Sequence, residues 1–327
     1  MSEMKAVMEA IRRHRRFAVT SHVNPEGDAL GSALALAGLL KRLGKLAVVA
    51  TDGGIPAAFR FFPPVAKVIG RPTPRLCPEV AITVDVPVLS RLGCMEQLFQ
   101  RTPLTLNIDH HVSNQRFADV NWVEPKAAAV GEMIYYLYRA FRVKPRLDEA
   151  LCMYVSIVTD TGSFRYMSTT PAVHRIASEL ISLGVSPLKV AQDLYECHSP
   201  RDLKFLGAVL SGLKSSPDGK IAWVEVPRSL MKAFGPGSEI KDELVNYPRS
   251  VRTAEVAFVL REGETPGEIR ASMRSKGRVD VNQIAKQFNG GGHMAASGCT
   301  IDGTLAQARR KILAVVRKAV KQVRRSR

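Results

Sequence analysis

Apolar positions in the first half of the chain fall into short runs separated by longer stretches with helical spacing. Phe17 to Thr20, Leu46 to Ala50, Val80 to Val84 and Leu104 to Ile108 are near-continuous apolar runs, the pattern of strands buried on both faces. Between the first two lies DALGSALALAGLLKRLG, where apolar residues recur at helical spacing, cations fill the last turn and Gly44 follows the end. Asp28 is placed to cap that helix. The same spacing predicts helices over Val130 to Phe141, Leu147 to Val158 and Pro171 to Leu183. Strands alternating with helices predict right-handed βαβ units and a parallel sheet.

From about Ser186 to Lys214 helical patterning continues around the Ser199-Pro200 break and reads as a connector. After Pro217-Asp218-Gly219 the pattern restarts with strand-like KIAWVEV. Runs at Glu255 to Leu260 and Glu268 to Met273 follow, then a helix over Val281 to Phe288. The predicted organisation is therefore α/β in three parts: a parallel-sheet domain over 1–185, a helical linker over 186–214 and a smaller α/β domain over 215–327.

Composition sharpens this picture. A chain of 327 residues has room for two ordinary domains, and 46% hydrophobic with 24% charged residues excludes disorder. GSALALAGLL, closed by Lys41 and Arg42, is too short to span a bilayer, and the early IRRHRR run is unlike a signal peptide. Cys77, Cys94, Cys152, Cys197 and Cys299 are scattered without zinc spacing, and the expectation is buried thiols in a reducing cytoplasm. The net charge of +17 favours anionic partners. Much of the excess lies in ARRKILAVVRKAVKQVRRSR, expected to be an amphipathic helix packed on its own domain rather than a nucleic-acid or membrane arm.

Candidate chemistry gathers at the element ends. SHVNPEGDALGS after the first strand offers His22, Glu26 and Asp28; Asp85 follows the third strand; Asp109, His110 and His111 follow the fourth; Asp160 ends a predicted helix in VTDTGSF. Open parallel sheets bind ligands beyond the carboxyl ends of their strands. Singly, each group reads as an ordinary cap or polar turn. Together, five carboxylates and three imidazoles need positive charge to converge. Two divalent cations supply it; oxygen and nitrogen donors without thiolate suit an ion such as manganese, and such a pair can clamp a phosphoryl group and activate water. In the second half, FNGGGHMAASG presents Gly290, Gly291, Gly292 and His293, and ASMRSKGR presents Arg274, Ser275 and Lys276, residues suited to gripping a phosphate. Arg165 is a further phosphate candidate, while Phe164 and Tyr166 are assigned to packing.

HVNPEGDALGS, VDVP, DHH and VTDTGSF in this order, with RSKGRVDVNQIAKQFNGGGHMAASG, closely resemble the DHH phosphoesterase family, in particular its two-domain bacterial nanoRNase and 3′,5′-bisphosphonucleotide phosphatase branch. The resemblance implies a site in an interdomain cleft. It implies that His22 and Glu26 hold one Mn²⁺, that Asp28, His110 and Asp160 hold the other, and that Asp85 bridges them; Mg²⁺ or Co²⁺ are possible substitutes. Asp109 would orient the DHH turn and His111 would face the substrate. Glu26 stands where the family usually has Asp. The implied activity is exonucleolytic hydrolysis of short RNA or of 3′-phosphoadenosine 5′-phosphate in the cytoplasm, with no membrane, no obligatory protein partner and a possible homodimer. Three rival readings are a cyclic or linear dinucleotide (c-di-AMP or pApA) phosphodiesterase, a family II-like inorganic pyrophosphatase and a non-catalytic nucleic-acid-binding protein.

Overall fold

The computed structural model describes residues 2–234 and 244–325. The chain separates into two compact units, Met1–Glu196 and Cys197–Arg327. The first contains α1 (Glu3–Arg13), β1 (Arg16–Thr20), α2 (Gly27–Arg42), β2 (Leu46–Ala50), β3 (Val68–Ile69), β4 (Val80–Val84), α3 (Glu96–Gln100), β5 (Leu104–Asp109), β6 (Val120–Val123), α4 (Val130–Ala140), α5 (Leu147–Asp160), α6 (Pro171–Ser182) and α7 (Pro187–Tyr195). Its six strands are parallel, in the order β3-β2-β1-β4-β5-β6. The order reverses between β1 and β4, so their carboxyl ends border the crevice where such sheets bind ligands.

The alternation of side chains along the strands divides the core in two. Phe17, Val19, Val80, Ile82 and Val84 face the layer built from α2, α4 and α5. Ala18, Ala50 and Ala81 face the opposite layer, where Leu92, Met95, Leu98 and Phe99 pack over the sheet. α2 is buried along almost its whole length because α5 crosses it closely. A Cβ on Gly31 would lie 2.4 Å from the Cys152 carbonyl oxygen, and one on Gly27 would lie 2.5 Å from the Thr159 side chain. Gly31→Ala must therefore push backbone rather than a flexible tip. Its expected cost is about 1–3 kcal/mol, read as a lower urea midpoint at unchanged slope; an unchanged midpoint would show that the two helices are not held this tightly.

The second unit contains α8 (Pro200–Leu210), β7 (Lys214–Ser215), β8 (Ile221–Val226), α9 (Arg228–Phe234), α10 (Asn246–Ser250), β9 (Val256–Glu262), β10 (Glu268–Ser275), α11 (Val281–Lys286), β11 (Gly291–His293), β12 (Ala296–Asp302) and α12 (Leu305–Arg325). Its mixed sheet runs β11-β12-β10-β9-β8-β7, with only the β8–β9 pair parallel. Ala308, Ile312, Leu313, Val316 and Val320 bury the apolar face of α12 against this sheet.

Several expectations need correction. The stretch 186–214 does not stand apart as a linker: Val190 of α7 joins the first core, while Phe205, Leu206 and Val209 of α8 pack with Val224 and Val226 in the second unit. Asp28 does not cap α2; Glu26 occupies that position without a side-chain cap bond, and Asp28 sits inside the first turn. Only Cys152 and Cys299 are buried, whereas Cys77, Cys94 and Cys197 are exposed. No described helix is long and apolar enough to cross a membrane.

Candidate metal centre

Each candidate ligand of the first unit leaves a regular element near the sheet's reversal point. β1 delivers His22 through Thr20 and Ser21; β4 ends at Val84 and hands over to Asp85; β5 ends at Asp109 and hands over to His110 and His111; α2 carries Asp28 in its first turn, and α5 ends on Asp160. Asp85 adopts a left-handed φ of 60°. That conformation costs a non-glycine residue about 1–3 kcal/mol, but Asp and Asn tolerate it best. Its backbone N–H donates to the Ile108 carbonyl, 3.1 Å away, which fixes the turn against β5.

The side chains converge on Asp85 and His110. His22 Nε2 lies 3.4 Å from Asp85 Oδ2. His110 Nε2 lies 3.6 Å from Asp85 Oδ1, 3.4 Å from Asp160 Oδ2 and 3.7 Å from Asp28 Oδ2. His111 Nδ1 lies 2.8 Å from Asp109 Oδ1 and 3.4 Å from Asp85 Oδ1. His22, Asp28, Asp85, Asp109 and His110 are all buried. Among the described residues of the first unit, three sets of donor atoms lie within ion-binding distance of one another: His22, Glu26 and Asp85; Asp28, His110 and Asp160; and Asp85, Asp109 and His111.

The imidazoles are oriented from behind. His22 Nδ1 faces the Val23 carbonyl at 2.8 Å, and His110 Nδ1 faces that of Ala127 at 3.0 Å. A ring that donates Nδ1–H to a carbonyl presents the lone pair of Nε2 on its other side, as a metal ligand must. Asp28 is fixed by Val130 N–H at 2.9 Å, by Ser32 Oγ at 2.7 Å and by Ser156 Oγ at 2.6 Å. Behind Asp109, the Asn114 amide donates to Asp109 Oδ2 and to Asn107 Oδ1, and Asn107 donates to Thr83 Oγ1 and the Val86 carbonyl. These supporting residues were not identified from sequence. Asn114 lies inside the DHHVSN stretch and Ser32 one helical turn beyond Asp28, so both left a local trace. Ser156, 128 positions from Asp28, left none.

The electrostatics show a site short of positive charge. Burial, with the Asp85 charge adding to it, raises Asp28 to about 6. Burial raises Asp160 to about 8, further supported by Asp28, Asp85 and Glu26. Burial also works against ionising Asp85, yet His110, His22 and His111 hold it well below the usual carboxylate range. His110 is burdened by burial but held well above 6.5 by Asp160, Asp85 and Asp28. Asp85 Oδ1 is buried and receives no hydrogen bond from the described residues. A buried carboxylate oxygen without a donor is costly. Divalent ions would satisfy that oxygen and let the carboxyl groups ionise and the imidazoles remain neutral, the states in which these side chains act as ligands. The donor set, carboxylates and imidazoles without thiolate, fits such ions.

Glu26 is exposed at the α2 N-terminus, with its carboxylate in reach of His22 and Asp85. Glu26→Ala is expected to abolish most turnover, and Glu26→Asp to retain it because the shorter acid still presents an oxygen. Wild-type rates in the alanine variant would remove Glu26 from the site.

The proposed substrate residues are placed as follows. β11 forms an edge strand rather than a loose loop. A Cβ on Gly290 would lie 2.2 Å from the Gly298 carbonyl oxygen, and one on Gly292 would lie 2.5 Å from that of Ala296, whereas Gly291 faces open space. Two of the three glycines thus serve sheet packing. Arg274 is half-buried on β10 next to buried Ser275. Lys276 directs its ammonium to the Val251 carbonyl at 2.7 Å and the Arg252 carbonyl at 3.1 Å. Arg165 is exposed, with Nε bonded to the Gly162 carbonyl. Phe164 packs against the first core.

Comparison with known proteins agrees with this architecture. The DHH family, N-terminal domain, matches residues 16–157, and the DHHA1 domain matches residues 234–322. The bifunctional oligoribonuclease and PAP phosphatase NrnA of Thermus thermophilus is 33% identical over 302 residues, covering 91% of this chain and 88% of the relative. The protein of the same name from Bacillus subtilis is 29% identical, covering 86% and 87%. The crystal structure of an exopolyphosphatase-related protein from Bacteroides fragilis superposes with a TM-score of 0.88 at 26% identity, covering 98% of this chain and 97% of that one.

Proposed function

The chain belongs to the DHH family and is a phosphoester hydrolase, and from that premise we propose that it hydrolyses short oligoribonucleotides and 3′-phosphoadenosine 5′-phosphate with two manganese ions. The observation that carries the reading is the convergence of His110 Nε2 on Asp28, Asp85 and Asp160, beside an Asp85 oxygen that no hydrogen bond from the described residues reaches. His22, Glu26 and Asp85 would hold one ion; Asp28, His110 and Asp160 would hold the other, with Asp85 shared. When bound, the ions supply Lewis acidity toward the phosphoryl oxygens and lower the pKa of water.

The remaining work falls to this chain's own groups. Asp109 accepts from His111 Nδ1 and thereby turns Nε2 away from the turn, where it can meet a phosphoryl oxygen or hand a proton to the leaving group. Asn114 holds Asp109 for that purpose. In the second unit, Arg274 and the open backbone at Gly291 are the assigned phosphate grip, because a guanidinium and an unobstructed glycine both suit an oxyanion. The two relatives named for oligoribonuclease and PAP phosphatase activity support this choice of substrates. The reading also places the protein in the cytoplasm.

One assay panel with Mn²⁺ tests it: a labelled RNA dinucleotide, a longer RNA, 3′-phosphoadenosine 5′-phosphate, pApA, cyclic di-AMP and pyrophosphate. Turnover of the dinucleotide and the bisphosphonucleotide is expected to exceed that of the others. Pyrophosphate or cyclic di-AMP as the sole good substrate would overturn the assignment.

A further inference from the structure

The sequence from Leu305 to its end holds nine of the 47 lysines and arginines and no acid, more than half of the net charge of +17. On α12, Arg310, Lys311, Arg317, Lys318 and Lys321 are all exposed. At 100° per residue they occupy one arc, and Arg310 to Lys321 extends about 16 Å along the helix. The opposite arc is the buried stripe of Ala308, Ile312, Val316 and Val320. Arg309, at the margin, pairs with Glu225 at 3.2 Å, and Lys311 also donates to the Asp302 carbonyl. Among the described residues no acid forms an ion pair with the five exposed cations. Such a row of unneutralised like charge repels itself, and a polyanion laid along it relieves that repulsion.

We propose that this face of α12 binds the phosphate backbone of a nucleic-acid strand, at a surface built from residues other than those assigned to catalysis and substrate grip. An anionic bilayer fits less well. Amphipathic helices bind membranes by inserting their apolar face, and here that face is spent on the protein's own core. An acidic protein fits less well too, because stable protein interfaces centre on buried aromatic or large apolar anchors and this arc offers cations around the small Ala314. The helix also carries no aromatic residue on which bases could stack. Binding is therefore indifferent to sequence and to the 2′-hydroxyl, and strongly dependent on salt.

The test uses the full chain treated with EDTA, so that no strand is cut, with a fluorescein-labelled 20-nucleotide oligouridine and a DNA of equal length. Five phosphate contacts on a single strand predict a slope of log K against log salt of about −3.5, or about hundredfold weaker binding between 50 and 200 mM salt. RNA and DNA are expected to bind alike. Replacing Arg310, Lys311, Arg317, Lys318 and Lys321 together by glutamine is expected to weaken binding at 50 mM salt by at least about tenfold and to flatten the slope. Should that variant fail to fold, the triple change at Arg317, Lys318 and Lys321 is expected to lower the slope by about 2. Unchanged affinity and slope in the folded variant would overturn the proposal. So would loss of binding to phosphatidylglycerol vesicles with strand binding intact. With manganese restored, the variant is expected to turn over a dinucleotide at the wild-type rate; a lower rate would assign these cations to the catalytic machinery and overturn their separateness. Failure of turnover in wild type and variant alike would instead count against the catalytic reading alone.

Discussion

Asp85→Asn is expected to lower kcat/KM on an RNA dinucleotide by about a thousandfold or more. The estimate follows from charge stabilisation by bound ions worth several kcal/mol, each 1.36 kcal/mol being tenfold in rate. Asparagine is the informative replacement. It fills the same volume and tolerates the left-handed backbone that Asp85 adopts at φ 60°, so the change removes charge and leaves the turn in place. Asp85 lies within 3.6 Å of His22 and His110 and within 3.4 Å of His111, so no neighbour can take over its position between the two ligand sets. Circular dichroism of the variant is expected to match wild type. Activity within tenfold of wild type would remove Asp85 from the centre of the site.

Removal of divalent ions is expected to have a comparable effect. Chelation should bring turnover to background, and manganese should restore it. The thermal midpoint should fall as well, because an ion that binds only the folded state stabilises it by about 2.7 kcal/mol at a hundredfold excess over Kd. For a unit of this size that corresponds to about 5–11 °C per site. The melting shift separates this prediction from a mere kinetic effect of the chelator, and it should shrink in Asp85→Asn. Full turnover with an unchanged midpoint after exhaustive chelation would show that His22, Asp85, His110 and Asp160 form a metal-free polar cluster.

How much of this was visible in the sequence depended on the range of the signal. β1, β4 and β5 are legible because strands buried on both faces leave unbroken apolar runs, and β2 leaves such a run although only Val49 and Ala50 of it are buried. β3, with two residues, and the partly buried β6 leave no such run. β11 was hidden because three glycines read as a turn, although close contact with Gly298 and Ala296 is what requires two of them. His22, Asp85, His110 and Asp160 stood out because each follows or ends an element. Asp28 reads both as a helix cap and as a ligand because the two uses take the same carboxylate chemistry; the fold removes the cap and shows its oxygens turned to Val130, Ser32 and Ser156. The Asn107–Asn114–Asp109 network lies within eight positions of sequence, yet its meaning depends on Thr83 and Val86 of the neighbouring segment.

Counting the ions held by the purified chain tests the site most directly. After chelation and dialysis against manganese, elemental analysis and calorimetric titration are expected to find two ions per chain in wild type and no more than one in Asp85→Asn. A wild-type chain that binds none at saturating manganese while still cleaving a dinucleotide would contradict the dinuclear site outright.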